Sequence, residues 1–165
     1  MNAVTLLEKL TSPGILETGA LIRELIHVPR RGATEEEIRE EESKAGRPFS
    51  EAYRRFLRRW NGMNLDVIRL FGMGDVDSGI ERWAHGWVPE HIPHLLAIGS
   101  DPAGFVYAED SDGAVYSIDH DGGEVSCVAR DFDTFVVDYV FGKDSADFGG
   151  VDWARDVNEI LKGEA

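Results

Sequence analysis

The chain has 165 residues with 42% hydrophobic content, enough for one well-filled core and short for two, so a single domain over residues 1–165 is expected. Its net charge of -14 at pH 7 repels phosphate backbones and anionic lipid, which argues against nucleic-acid and membrane binding and leaves a basic protein partner or plain solubility. One cysteine, Cys127, excludes an internal disulfide, no apolar run approaches membrane-spanning length, and the first residues lack the basic lead of a signal peptide, so a reducing cytoplasm is the expected location.

Residues 3–10 and 15–28 carry helical leucine and isoleucine spacing, parted by Pro13-Gly14 and ended by Pro29. Thr34 with Glu37 forms a capping box, Glu35 and Glu36 suit the first turn that follows, and Gly46 closes a surface helix whose only clearly apolar residues are Ile38 and Ala45. The next stretch, Arg47 to Gly62, is the expected packing centre. Phe49, Ala52, Tyr53, Phe56, Leu57 and Trp60 form one helical stripe behind a Ser50 cap, and Asn61-Gly62 supplies a left-handed stop. Burying the five large side chains contributes on the order of 10 kcal/mol before chain entropy is subtracted. Four arginines on this helix, Arg54, Arg55, Arg58 and Arg59, are expected to pair within the chain or simply to be solvated rather than to track phosphates.

Beyond residue 62 the periodicity changes. "LDVIRLFG" is one short strand candidate, followed by a Gly/Asp-rich loop over 72–79 and an irregular passage over 80–93. Four strands then come at close spacing: "LLAIG", "FVYAE", "AVYSIDH" and "EVSCVAR". The linkers "SDPAG", "DSDG" and "DGG" are turns short enough to join only antiparallel neighbours, which makes a meander. "DFDTFVVDYVFG" reads as a helix capped by Asp131, a glycine-rich loop follows, and a last helix carries Trp153, Val157, Ile160 and Leu161. Helices, a meander of about five strands, then helices make an α+β fold with a mostly antiparallel sheet and helices on one side.

Motifs that carry chemistry are scarce in this sequence. His91 and His94 are interrupted by Pro93 and read as loop histidines, so no metal is expected; "DSDG" and "DHDGG" lack the rest of a calcium loop. No G-x-S-x-G or phosphate-binding glycine loop occurs, and Cys127 reads as an inert core thiol. Neither a catalytic residue nor a cofactor is assigned, and the chain is read as a non-enzyme. A small hydrolase using Asp75 and Asp77 is the weak alternative.

The order "GATEEEIREEESKAGRPFSEAYRRFLRRWNG", a strand ending in Phe71-Gly72, "LLAIGSDPAGFVYAEDSDGAVYSIDH" and "VARDFDTFVVDYV" resembles the SUKH superfamily, which includes the fungal Smi/Knr-type cell-wall assembly regulators and many bacterial proteins. The resemblance runs from about Ala33 to Val140. Its most specific pieces, the helix ending in Trp60-Asn61-Gly62 and the turn from Ile98 to Gly104, look structural; Pro48-Phe49 stands where the family has Leu-Pro, and Asp101-Pro102-Ala103-Gly104 where it has D-G-G. The resemblance implies an α+β domain and, in bacteria, an immunity protein that neutralises a cognate toxin, often a nuclease. The alternative it implies is an adaptor of the glucan-synthesis regulator type.

The acidity supports the first. Residues 1–60 sum to +1 and residues 61–165 to -15, and an acidic surface suits a basic toxin domain. In a meander the 100–104 and 120–124 turns share one end of the sheet, so Asp101, Asp119, Asp121 and Glu124, extended by Asp75 and Asp77, form the expected partner-binding cluster. Oligomeric state is left open.

Overall fold

A computed structural model describes residues 1–12, 31–65, 67–73, 95–119, 121 and 123–162. The predicted 15–28 helix, the tryptophan-bearing passage, most of the 72–79 loop and all three of His85, His91 and His94 lie outside these residues. Helix α1 (Ala3–Leu10) is capped by Asn2, and its Leu6, Leu7 and Leu10 are buried. The Ala3 N–H donates to Asp133 Oδ1 at 2.8 Å, tying this helix to the far end of the chain. Helix α2 (Glu35–Ala45) has the reciprocal Thr34–Glu37 capping box and a left-handed Gly46 at its end, and it buries Ile38 and Ala45.

Helix α3 (Glu51–Arg59) starts at the Ser50 cap and buries Tyr53, Phe56 and Leu57, flanked by buried Phe49 and Trp60. Its end differs from expectation. Trp60 is already extended (φ -138°, ψ 135°), because its ring turns inward and Asn61 N–H leaves the helix to donate to Arg31 O at 2.8 Å. The left-handed residue, Gly62 (φ 89°), then steers the chain into the sheet rather than capping the helix. All four arginines are bound within the chain: Arg54 to Glu35 and Glu42, Arg55 to Asp133, Arg58 to Glu35 and Glu51, Arg59 to Glu8.

The sheet has six antiparallel strands in the order β1-β2-β3-β4-β5-β6. They are β1 (Met63–Asn64), β2 (Arg69–Leu70), β3 (Leu96–Ser100), β4 (Phe105–Glu109), β5 (Val115–Asp119) and β6 (Val125–Ala129). Of the stretch read as one strand, residues 65–72, only Arg69–Leu70 is strand. It pairs with β1, which precedes that stretch, setting Met63 against Leu70, and Leu65 N–H donates to Ile68 O at 2.9 Å. The last β-strand is also more open than expected: Cys127, predicted as a core thiol, is exposed, because β6 has one strand neighbour and Cys127 faces away from the helices.

After the Asp131 cap, α4 (Phe132–Thr134) runs straight into a π-helical segment (Phe135–Val140), closed by Phe141 N–H donating to Val136 O at 3.2 Å. The expected glycine-rich loop is mostly helix. Helix α5 (Ser145–Lys162) is broken at Gly150 (φ 86°, ψ 175°) and anchored by Trp153 Nε1–H donating to Val140 O at 2.7 Å. Among the described residues, every helix packs on the face carrying Leu96, Ile98, Tyr107 and Val115. The other face has its own small apolar cluster of Phe71, Leu95, Ala97, Val106, Ala108 and Ile118.

Acid should loosen α2 first. Glu37 is held at about 2, below the ordinary 4.5, chiefly by the Arg31 hydrogen bond and then by the Thr34 N–H. Glu35 and Glu51 are lowered too, each mainly through Arg58. A carboxyl with a lowered folded pKa stabilises fully above its unfolded value and loses that contribution as pH falls through 4.5 toward 2. The urea midpoint is thus expected to fall between about pH 5 and pH 2.5, with Glu37→Gln flattening the upper part of that decline. An unchanged slope in Glu37→Gln would remove Glu37 from the account.

Candidate partner-binding surface

The register pairs Phe105 with Asp119, so the β3–β4 turn and the β5–β6 turn lie side by side at one end of the sheet. Asp110 to Ala114 turn at the opposite end. Within the first turn Asp101 accepts the N–H groups of Ala103 (3.0 Å) and Phe105 (3.1 Å) on Oδ1, and the Tyr107 hydroxyl on Oδ2 at 2.7 Å. Its carboxylate therefore shapes the turn while its charge stays at the sheet end. Asp119 Oδ1 accepts the Asp121 N–H at 3.0 Å, and Asp119 N–H donates to Glu124 O at 2.9 Å. Asp121 and Glu124 themselves are exposed. Of the other proposed members, Asp75 and Asp77 lie outside the described residues.

The structure adds aromatic residues that the sequence reading assigned to core or loop. Tyr107 is buried under the π-helical segment and α5, with ring centroids 5.0 Å from Phe135, 6.4 Å from Tyr139 and 6.1 Å from Phe148. Tyr139 and Phe148 meet edge to face at 5.7 Å, and both are half-buried. Burial, then the Asp101 hydrogen bond, push the Tyr107 hydroxyl far above its usual value. Tyr139 is raised as well, by burial and then by the charges of Asp147 and Asp101. This end of the sheet thus sets Asp101 and the neighbouring β5–β6 turn beside the Tyr107 ring and the rings packed on it, a combination of acid and aromatic that suits an arginine or lysine.

The opposite end is acidic as well. Asp110 closes its own turn by accepting the N–H groups of Asp112 and Ala114, and Arg47 lies beside it, donating to Glu109 O at 2.6 Å. The Arg47 guanidinium is held below its usual value by burial, against the opposing pull of Glu109 and Asp110. Cations thus occur at both ends: Arg47 here, and at the first end Arg69, in register with Ser100.

The motif residues occupy backbone positions. Trp60 is buried, Asn61 Oδ1 accepts the Met73 N–H at 2.6 Å, and Gly104 adopts φ 95° in the β3–β4 turn. A Cβ on Gly99 would lie 2.7 Å from Arg69 O, so β2 and β3 approach closely there. Among the described residues no three His, Cys, Asp or Glu side chains are grouped to hold a metal ion, and no helix is long and apolar enough to cross a membrane.

No curated protein matches the chain significantly. Residues 32–138 match the SMI1 / KNR4 family (SUKH-1), a span from just before α2 to the π-helical segment that contains the whole sheet and the Trp60-Asn61-Gly62 clamp. With this match covering well over half its length, the chain belongs to the SMI1 / KNR4 family (SUKH-1).

Proposed function

We propose that the chain is an immunity protein that binds a basic toxin domain and neutralises it without catalysis. Family membership supports a toxin-immunity or cell-wall regulator role exercised through protein contact. The observation that supports the first is the sheet end just described, where two acidic turns lie side by side and Asp101 bonds to Tyr107, whose ring meets Tyr139 and Phe148. A nuclease active site is basic because it must hold phosphates, and a surface of this sign both steers its encounter and occupies the same groups. The exposed Asp121 and Glu124 are the outer charges of that surface, and Asp101 is its turn-forming member.

The test is capture of partners from the host at low and then high salt, followed by rescue of growth when the captured protein is expressed. A single basic, toxic partner is expected. Charge reversal of Asp121 or Glu124 to lysine should weaken its binding about tenfold each, roughly 1.4 kcal/mol, whereas Asp112→Lys at the opposite end should change it little. Several moderate, salt-labile partners would favour the adaptor role instead. Equal effects at both ends of the sheet would remove this surface as the binding site.

A further inference from the structure

Strand β6 is the outermost strand on its side of the sheet, paired only with β5 among the described residues. Its sequence, Val125-Ser126-Cys127-Val128-Ala129, holds no charge and no proline, and Ser126 and Cys127 are exposed. Proteins ordinarily blunt such an edge with lysine, proline or a very short strand, and the other edge here, β1, is two residues long. The backbone of β6 is also set for further pairing. Glu124 O accepts the Asp119 N–H, and Ser126 is the partner of Ser117, so Glu124 and Ser126 turn their backbone groups toward β5. The alternating residues, Val125 and Cys127, turn theirs outward. The register shift opposite Val115 and Tyr116 lies beyond this pair, which leaves Val125–Cys127 as regular edge.

We propose that β6 is a self-association edge, at which two copies of this chain pair antiparallel about a two-fold axis at Ser126. Each Val125 then opposes the other copy's Cys127, and each such pair exchanges both backbone bonds. A second copy is favoured over an unrelated strand by charge. The segment is flanked by Glu124 on one side and Arg130 on the other, and antiparallel pairing brings the acidic flank of each copy toward the basic flank of its partner. Arg130 is well placed for this, with its side chain 84% exposed and its Nε near Asp131 and Thr134. Opposing the contact is the net charge of -14 on each copy. Association should therefore tighten as salt rises, the reverse of binding to a basic protein.

Sedimentation equilibrium of the full chain tests this. At roughly 100 μM protein, near the range of weak interfaces, and about 0.5 M salt, the mass is expected to be twice the 18.3 kDa of one chain. Cys127→Pro deletes an outward N–H that β5 does not use and should leave a monomer with an unchanged circular dichroism spectrum. Cys127→Lys, which sets two cations near the axis, serves the same purpose should proline disturb folding. Measured at about 0.1 M salt, where flanking charges are less screened, Glu124→Arg should weaken association about tenfold, and adding Arg130→Glu, which restores the net charge, should recover it. A monomer under these conditions, or a dimer indifferent to both Cys127 variants, overturns the proposal.

Discussion

Gly72→Ala is expected to cost at least about 4 kcal/mol, lowering the melting temperature by roughly 10 °C or more in a protein of this size. A Cβ at Gly72 would lie 2.2 Å from Asn61 O, 2.3 Å from Asn61 C and 2.6 Å from Asn61 Oδ1. None of these atoms is free to retreat. Asn61 is held by its N–H on Arg31 O, by its side-chain oxygen on the Met73 N–H, and by the buried Trp60 before it. Relief would require the chain after β2 to move away from the end of α3, which would open the junction between the main helix and the sheet. Gly123→Ala is the control. It has a positive φ of 68° but nothing within 4 Å, so only backbone strain of about 1 kcal/mol is expected. Urea denaturation of both variants checks the contrast, and a Gly72→Ala midpoint as mild as that of Gly123→Ala would show that the junction yields.

Glu109→Ala is expected to cost about 3 kcal/mol although it changes no apolar packing. Glu109 ends β4 and is fully buried, with Oε1 accepting the Ser50 N–H at 2.8 Å and Oε2 the Ser50 hydroxyl at 2.7 Å. Ser50 is at once the cap of α3, so one carboxylate locks the main helix to the sheet. Its charge also faces Arg47, whose guanidinium is half-desolvated beside it. Alanine would leave the Ser50 donors and the Arg47 charge without that partner. Glu109→Gln keeps the shape but replaces one acceptor by a donor against a donor, so about half the loss is expected. Comparing the two by denaturation separates the carboxylate from its volume, and equal midpoints for Glu109→Gln and wild type would show that the charge contributes nothing.

Much of the architecture was legible because it depends on local rules. The Phe49-to-Trp60 stripe, the Thr34–Glu37 box, the Asp131 cap and the Asp-Gly turns of the meander each rest on residues within a few positions of one another. Where reading failed, the deciding contact was distant or the local signal was ambiguous. The π-helical segment has an apolar spacing that suits an α-helix equally well, and its wider turn is chosen by packing against Tyr107 and α5. The glycines before Trp153 suggested a loop, yet Gly149 sits under the Trp153 ring, with its Cβ position 2.7 Å from Cγ, and the helix runs on to either side of Gly150. Cys127 has a strand pattern identical to that of a core residue, and only the position of β6 at the sheet's edge exposes it.

The candidate surface divides in the same way. Charge asymmetry and alternation of turns, both countable along the chain, name Asp101, Asp119, Asp121 and Glu124, and the register sets the two turns that carry them at one end of the sheet. Tertiary structure alone decided that Asp101 is bonded to Tyr107, that Tyr139 and Phe148 lie next to it, and that the equally acidic opposite turn is answered by Arg47. The physical reason is range. Capping, turn formation and strand alternation are settled by neighbours in sequence, whereas burial, the partner of a buried carboxylate and the open edge of a sheet depend on which segments the completed core brings together.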